Sequence, residues 1–157
     1  MLIKNPLSES DRNDISNFWN NTPHKVLDHQ ASNVYAIRQA PFLDKYHTKV
    51  KKVLQTETGF SFSELFTLIR EYKKGDSLRK HIDNAAPCCI SIIIKQSDTK
   101  DNPLVLYQEE PTTFLLQEGD GCFFWGMTVP HERLEVQSDS LLQVYFGYDV
   151  RTKTSII

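Results

Sequence analysis

The spacing of apolar residues changes once along the chain, near Phe60, and that change limits what it can fold into. Before Phe60 the spacing is helical. Ser8 and Asp11 stand three apart, like a capping box, and Ile15, Phe18 and Trp19 follow at i, i+3 and i+4, on one helix face. A polar turn comes at Asn20, Asn21, Thr22 and Pro23, and a short strand is expected over 34–38. Pro41 suits the first turn of a second helix, with Phe42, Tyr46, Lys49 and Val53 at helical spacing and Gly59 at its end. Lys45, Lys49 and Lys52 line part of that helix and read as a solvated face.

After Phe60 short β-branched or aromatic runs recur over 65–72, 88–95, 104–108, 112–116, 122–125, 133–137 and 141–148. Gly75, Pro87, Asn102-Pro103, Glu110-Pro111, Gly119-Asp120-Gly121 and Ser138-Asp139 separate them. Many short strands after a helical start predict a mainly β, α+β chain. The expected architecture is a double-stranded β-helix (jelly roll, cupin-like) with supporting helices. At 157 residues the chain reads as a single domain, 1–157, with a helical support region over 7–59 and a jelly-roll core over 60–150.

Hydrophobic residues make up 39%, enough to fill a core, so wholesale disorder is excluded. The net charge of −2 argues against general nucleic-acid binding or adhesion to a membrane surface, both of which need a basic excess. The opening residues lack an apolar run of signal-peptide length, and no stretch approaches the roughly 20 apolar residues of a membrane helix. Cys88, Cys89 and Cys122 are odd in number, and the adjacent pair points to opposite faces of a strand. Free thiols in a reducing cytoplasm are expected, with Cys88 and Cys89 as small buried hydrophobes. They lack the Cys-x-x-Cys spacing of a zinc site.

Two motifs carry chemistry. In His81-Ile82-Asp83 an imidazole and a carboxylate stand two apart, so on an extended segment both project to one side and can grip one metal ion. Pro130-His131 follows a turn and an apolar strand. His24, His29 and His47 lie in the helical part, which leaves His81 and His131 as the histidines of the β part. Two histidines and one carboxylate suit iron(II) and leave coordination positions open for substrate and dioxygen.

The stretch Tyr72-Lys73-Lys74-Gly75-Asp76-Ser77-Leu78-Arg79-Lys80-His81-Ile82-Asp83 resembles the 2-oxoglutarate- and iron(II)-dependent dioxygenases, on their prolyl 4-hydroxylase-like branch. The apolar strand that follows, the Gly119-Asp120 turn, Gly126 and the distal His131 continue the likeness, which covers about half the chain. The resemblance implies His81, Asp83 and His131 as the Fe(II) ligands. It implies a hydroxylase that converts 2-oxoglutarate and O2 to succinate and CO2. It leaves the substrate unidentified, a peptidyl proline-like residue or a small molecule; no membrane partner is expected.

The family carries a basic residue about ten places beyond the distal histidine, to hold the far carboxylate of 2-oxoglutarate. Here Leu141 stands ten on and Gln143 twelve on. Arg133 offers a replacement: if it continues a strand begun at His131, both side chains point inward, and a buried arginine needs a partner such as a carboxylate. That partner is 2-oxoglutarate or an internal acid; alternatively a bulge turns Arg133 outward. Gln143 and Tyr145 share a face of the next strand and can donate to the co-substrate, Tyr72 is a hydroxyl donor or a core aromatic, and Arg70 is the reserve anchor. Phe124 and Trp125 read as core rather than substrate platform. The alternative function is a jelly-roll binding module, or a cupin-like metalloprotein that does not use 2-oxoglutarate.

Overall fold

The computed structural model describes residues 1–31 and 34–153. In chain order its first half runs β1 (Leu2–Ile3), α1 (Glu9–Asn21), β2 (Val26–Leu27), β3 (Tyr35–Arg38), a 3-10 turn (Pro41–Leu43) and α2 (Asp44–Thr58). The second half is β4 (Phe60–Lys73), β5 (Leu78–His81), β6 (Cys88–Gln96), β7 (Leu104–Tyr107), β8 (Pro111–Phe114), β9 (Gly121–Phe124), β10 (His131–Arg133) and β11 (Ser140–Lys153).

The strands form two antiparallel sheets. The larger has the order β1-β9-β6-β11-β4-β3-β2, and the smaller β5-β10-β7-β8. Helices cover one face of the larger sheet and the smaller sheet packs on the other, the layout of a jelly roll with supporting helices. Among the described residues no helix is long and apolar enough to cross a membrane.

Strand alternation sorts side chains between these two layers. On β6, Cys88, Ile90, Ile92 and Ile94 join Ile15, Trp19, Tyr46, Val50 and Leu54 of the helices. Their neighbours Cys89 and Ile93 face the small sheet with Leu104, Leu106 and Phe124. On β11, Leu142, Val144, Phe146 and Tyr148 face the helices, whereas Leu141 and Tyr145 face the small sheet. Each fully buried Ile or Val contributes about 1.5–3 kcal/mol, so this central pair of strands anchors both layers.

The capping box at Ser8 forms: Asp11 N–H donates to Ser8 Oγ at 3.1 Å, and Ser8 N–H to Asp11 Oδ2 at 3.3 Å. Gly59 ends α2 at φ 74, where its N–H still donates to Gln55 O; a side chain there would be forced into the left-handed region. Pro41 differs from expectation. It begins the 3-10 turn ahead of α2, and Leu43 is the residue preceding the helix.

The strand expected over 133–137 is instead His131–Arg133. Beyond Arg133 the backbone leaves the ladder: Leu134 N–H donates to Pro103 O and Val136 N–H to Asp76 O. The support region over 7–59 also contributes strands, since β3 pairs with β4 and carries β2 on its outer edge.

Candidate metal centre

Register builds this site. Strands β5 and β10 run antiparallel with His81 directly opposite His131. Opposed residues in such a pair stand close enough for their side chains to touch, and here the two imidazole centroids are 4.4 Å apart. Asp83 lies just past the end of β5, where its N–H donates to Gly126 O at 2.8 Å. That bond turns its carboxylate back towards the two rings. Asp83 Oδ1 is 3.4 Å from His81 Nε2 and 3.3 Å from His131 Nε2. One donor atom from each of the three residues falls within 4.8 Å of the other two.

The surrounding bonds orient all three donors. His81 Nδ1 lies 2.6 Å from Arg79 O and His131 Nδ1 2.9 Å from Val129 O. A carbonyl can only accept, so each Nδ1 carries a proton, which leaves Nε2, the nitrogen that faces Asp83 Oδ1, as the one a metal would take up. Phe124 packs edge-on against the His131 ring at 4.6 Å. Asp83 Oδ2 faces away from the rings and accepts from Tyr145 OH at 3.0 Å and from the Cys89 thiol at 3.8 Å. Gly126 closes the remaining side: a Cβ there would lie 1.9 Å from Oδ2. Oδ1 is therefore the free oxygen. Burial opposes ionisation of Asp83, but hydrogen bonds with His131, His81 and Tyr145 outweigh it and hold the carboxyl far below the usual carboxylate range. The hydrogen bond with Asp83 raises His81 above its ordinary value.

Two imidazole nitrogens and one carboxylate oxygen, held by second partners, form a donor set that suits iron(II). The three residues open onto a cleft whose walls include Gln30, Arg38, Phe66, Leu68, Arg70, Ser91, Leu104, Phe124 and Tyr145. Of the residues expected to hold a co-substrate, Tyr145 and Arg70 line this cleft, and Arg133, Gln143 and Tyr72 lie outside its lining. Arg70 Nη2 pairs with Asp28 Oδ2 at 3.2 Å, and its Nη1 donates to Tyr72 OH at 3.1 Å.

Arg133 does point inward and is 1% exposed. It donates from Nη1 to Asn102 O at 2.8 Å and from Nη2 to Gln143 Oε1 at 2.7 Å, while its Nε has no partner. Its guanidinium carbon lies 5.5 Å from the Tyr72 ring centroid. Among the described residues no carboxylate pairs with it, and burial pulls it below the ordinary arginine value.

Cys88, Cys89 and Cys122 are buried free thiols. Burial pushes Cys88 up to about 12 and Cys122 up to about 11, which makes them poor thiolates. Phe124 serves both the inter-sheet core and the cleft wall, and Trp125 packs on the helix-side core. Sequence reasoning missed Gln30, Arg38 and the Cys89 contact to Asp83. Gly126 was visible as part of the motif, without its steric role.

No protein-family model matches the sequence, and no curated protein does. Solved structures do match. The 2-oxoglutarate complex of viral collagen prolyl hydroxylase from Paramecium bursaria Chlorella virus-1 is 15% identical, with a TM-score of 0.71 over 94% of each chain. A 2OG-Fe(II) oxygenase-family oxidoreductase from Burkholderia pseudomallei is 13% identical, with a TM-score of 0.75 over 94% of this chain and 84% of that one. HygX from Streptomyces hygroscopicus, with nickel and 2-oxoglutarate bound, is 9% identical, with a TM-score of 0.73 over 94% of this chain and 81% of that one. The fold is thus the jelly roll shared by 2-oxoglutarate/iron(II) oxygenases.

Proposed function

We propose that this chain is a 2-oxoglutarate- and iron(II)-dependent oxygenase that hydroxylates a small molecule or a peptide residue. The observation that carries the reading is the convergence of His81, Asp83 and His131, with both Nε2 atoms and Oδ1 turned to one point. Bound there, iron(II) would supply the redox chemistry that couples decarboxylation of 2-oxoglutarate by dioxygen to substrate hydroxylation.

The chain's own residues do the rest. Asp83 would hold the metal through Oδ1, because Tyr145, Cys89 and Gly126 occupy the side of Oδ2. The backbone carbonyls of Arg79 and Val129 keep both rings in the ligating tautomer. Leu68, Leu104 and Phe124 give the cleft apolar walls that exclude water.

Arg133 is the anchor for the far carboxylate of 2-oxoglutarate in this reading. It is a buried guanidinium with an unpartnered Nε, and its bond to Gln143 Oε1 is one that a carboxylate oxygen can take over. Gln143 and Tyr72 then stand beside the same carboxylate as donors, and Arg70, neutralised by Asp28, remains the reserve. A cytoplasmic location rests on the three free cysteines.

Anaerobic titration of the iron(II)-loaded protein with 2-oxoglutarate tests this assignment. Chelation of the co-substrate gives a visible charge-transfer band that saturates. Iron uptake without a band favours the second reading, a cupin-like metalloprotein that does not use 2-oxoglutarate. The observation on that side is that Arg133 is already bonded to Asn102 and Gln143, outside the open cleft.

A further inference from the structure

The cleft wall opposite the small sheet comes from β3, β4 and the segment ahead of β3, and its charges do not balance. Asp28 is buried between two arginines: Arg38 Nη2 lies 3.3 Å from Oδ1 and Arg70 Nη2 3.2 Å from Oδ2. One carboxylate against two guanidinium groups leaves a single positive charge. Arg70 is buried and also bonds Tyr72 and Gln30. The surplus therefore falls to Arg38, whose side chain is 47% exposed and spends one nitrogen on Asp28. Asp28 lies behind this wall; the carboxylate that lines the cleft itself is Asp83, and it is turned to the histidines. A chain of net charge −2 has no general basic excess that would account for a positive wall at this position.

The backbone also holds Arg38 in place. The next residue, Gln39, has φ 53, a left-handed conformation that is strained for an L-residue. Three bonds to β4 stabilise it: Gln39 N–H to Thr67 O at 2.9 Å, Thr67 N–H to Gln39 Oε1 at 3.2 Å, and Gln39 Nε2 to Leu65 O at 3.3 Å. This clamp fixes the end of β3, with Arg38 in register opposite Leu68. The guanidinium carbon of Arg38 lies 5.8 Å from the Phe66 ring centroid, and Phe66 lines the same cleft.

We infer that the cleft takes a small organic substrate bearing a carboxylate or phosphate, with that anion on Arg38 and its apolar body against Phe66. This substrate class rests on the oxygenase reading; the anion site itself does not. Guanidinium forks suit both anions, and a charge-assisted bond to one makes up the difference from a neutral analogue.

The test uses the full chain loaded with manganese(II) and 2-oxoglutarate, and three probes: 3-phenylpropanoate, phenyl phosphate and the neutral 3-phenylpropanamide. Ligand-observed NMR gives each affinity, and manganese broadening tells whether a probe sits near the metal. At least one anion should bind about tenfold or more tighter than the amide and be broadened. The tighter anion identifies the group. In Arg38→Gln the preference should fall to within about twofold, and in Arg151→Gln, exposed on β11, it should persist. Asp28 keeps Arg70 as a partner in Arg38→Gln, so no buried carboxylate is stranded. Equal binding of amide and anions, a preference that survives Arg38→Gln, or, with manganese bound, tight anions without broadening overturns the inference. Metal uptake by the wild type is titrated separately: its failure removes the oxygenase reading and leaves an Arg38-dependent anion preference intact.

Discussion

A methyl group at Gly126 should damage the metal centre although no ligand is replaced. In Gly126→Ala the new Cβ falls 1.9 Å from Asp83 Oδ2 and 2.8 Å from Asp83 Cγ. Non-bonded carbons settle at about 3.5–4.0 Å, so the carboxylate has to retreat by more than about 1 Å. It cannot retreat with its backbone, because Asp83 N–H is tied to Gly126 O at 2.8 Å. The side chain must rotate instead, which breaks the 3.0 Å bond from Tyr145 and swings Oδ1 away from the two Nε2 atoms. Disturbing partners of a metal ligand typically costs 10–100-fold in affinity, about 1.4–2.7 kcal/mol. Anaerobic iron(II) titration by calorimetry reads this directly, and circular dichroism checks that the fold is kept. Iron affinity within about twofold of wild type would refute the steric reasoning, since the carboxylate would then have tolerated the methyl.

Arg133→Met keeps the side-chain volume and removes the charge; it should raise the KM for 2-oxoglutarate by about 100-fold or more while iron affinity changes little, and an unchanged KM would move the anchor to Arg70. His47 offers a pH prediction remote from the metal site. It is buried, stacked on Phe146 at 5.1 Å, with Nε2 3.0 Å from Gly147 O, and burial lowers its pKa from 6.5. A lowered folded-state value means the unfolded chain binds the proton first. The His47 contribution is therefore complete above 6.5 and is lost as pH falls through the folded value. Urea unfolding across that range should show a shallower acid decline in His47→Gln than in wild type; equal slopes would contradict it.

The convergence of His81, Asp83 and His131 was legible because the signal is local or nearly so. His81 and Asp83 are two apart, and His131 follows a turn and an apolar strand. The register that sets His81 against His131 was not legible, because β5 is four residues with a single apolar side chain, Leu78. The strand expected over 133–137 misled because Leu134 and Val136 alternate with polar residues, yet their N–H groups bond to loop carbonyls. The two-residue β1 depends wholly on its long-range partner β9. Arg38 and Gln30 carried no signal at all: they reach the cleft only because β3 joins the edge of β4. Arg133 was correctly expected to point inward, but the residues that receive it, Asn102 and Gln143, come from a loop and a different strand.

The most direct measurement is succinate formation from 2-oxoglutarate after anaerobic loading with iron(II) and exposure to air, with His81→Ala and Asp83→Ala beside the wild type. The account predicts succinate that requires iron and disappears in both variants while their circular dichroism stays native. Succinate that persists in either variant would contradict the assignment of His81, Asp83 and His131 as the centre at which the reaction occurs.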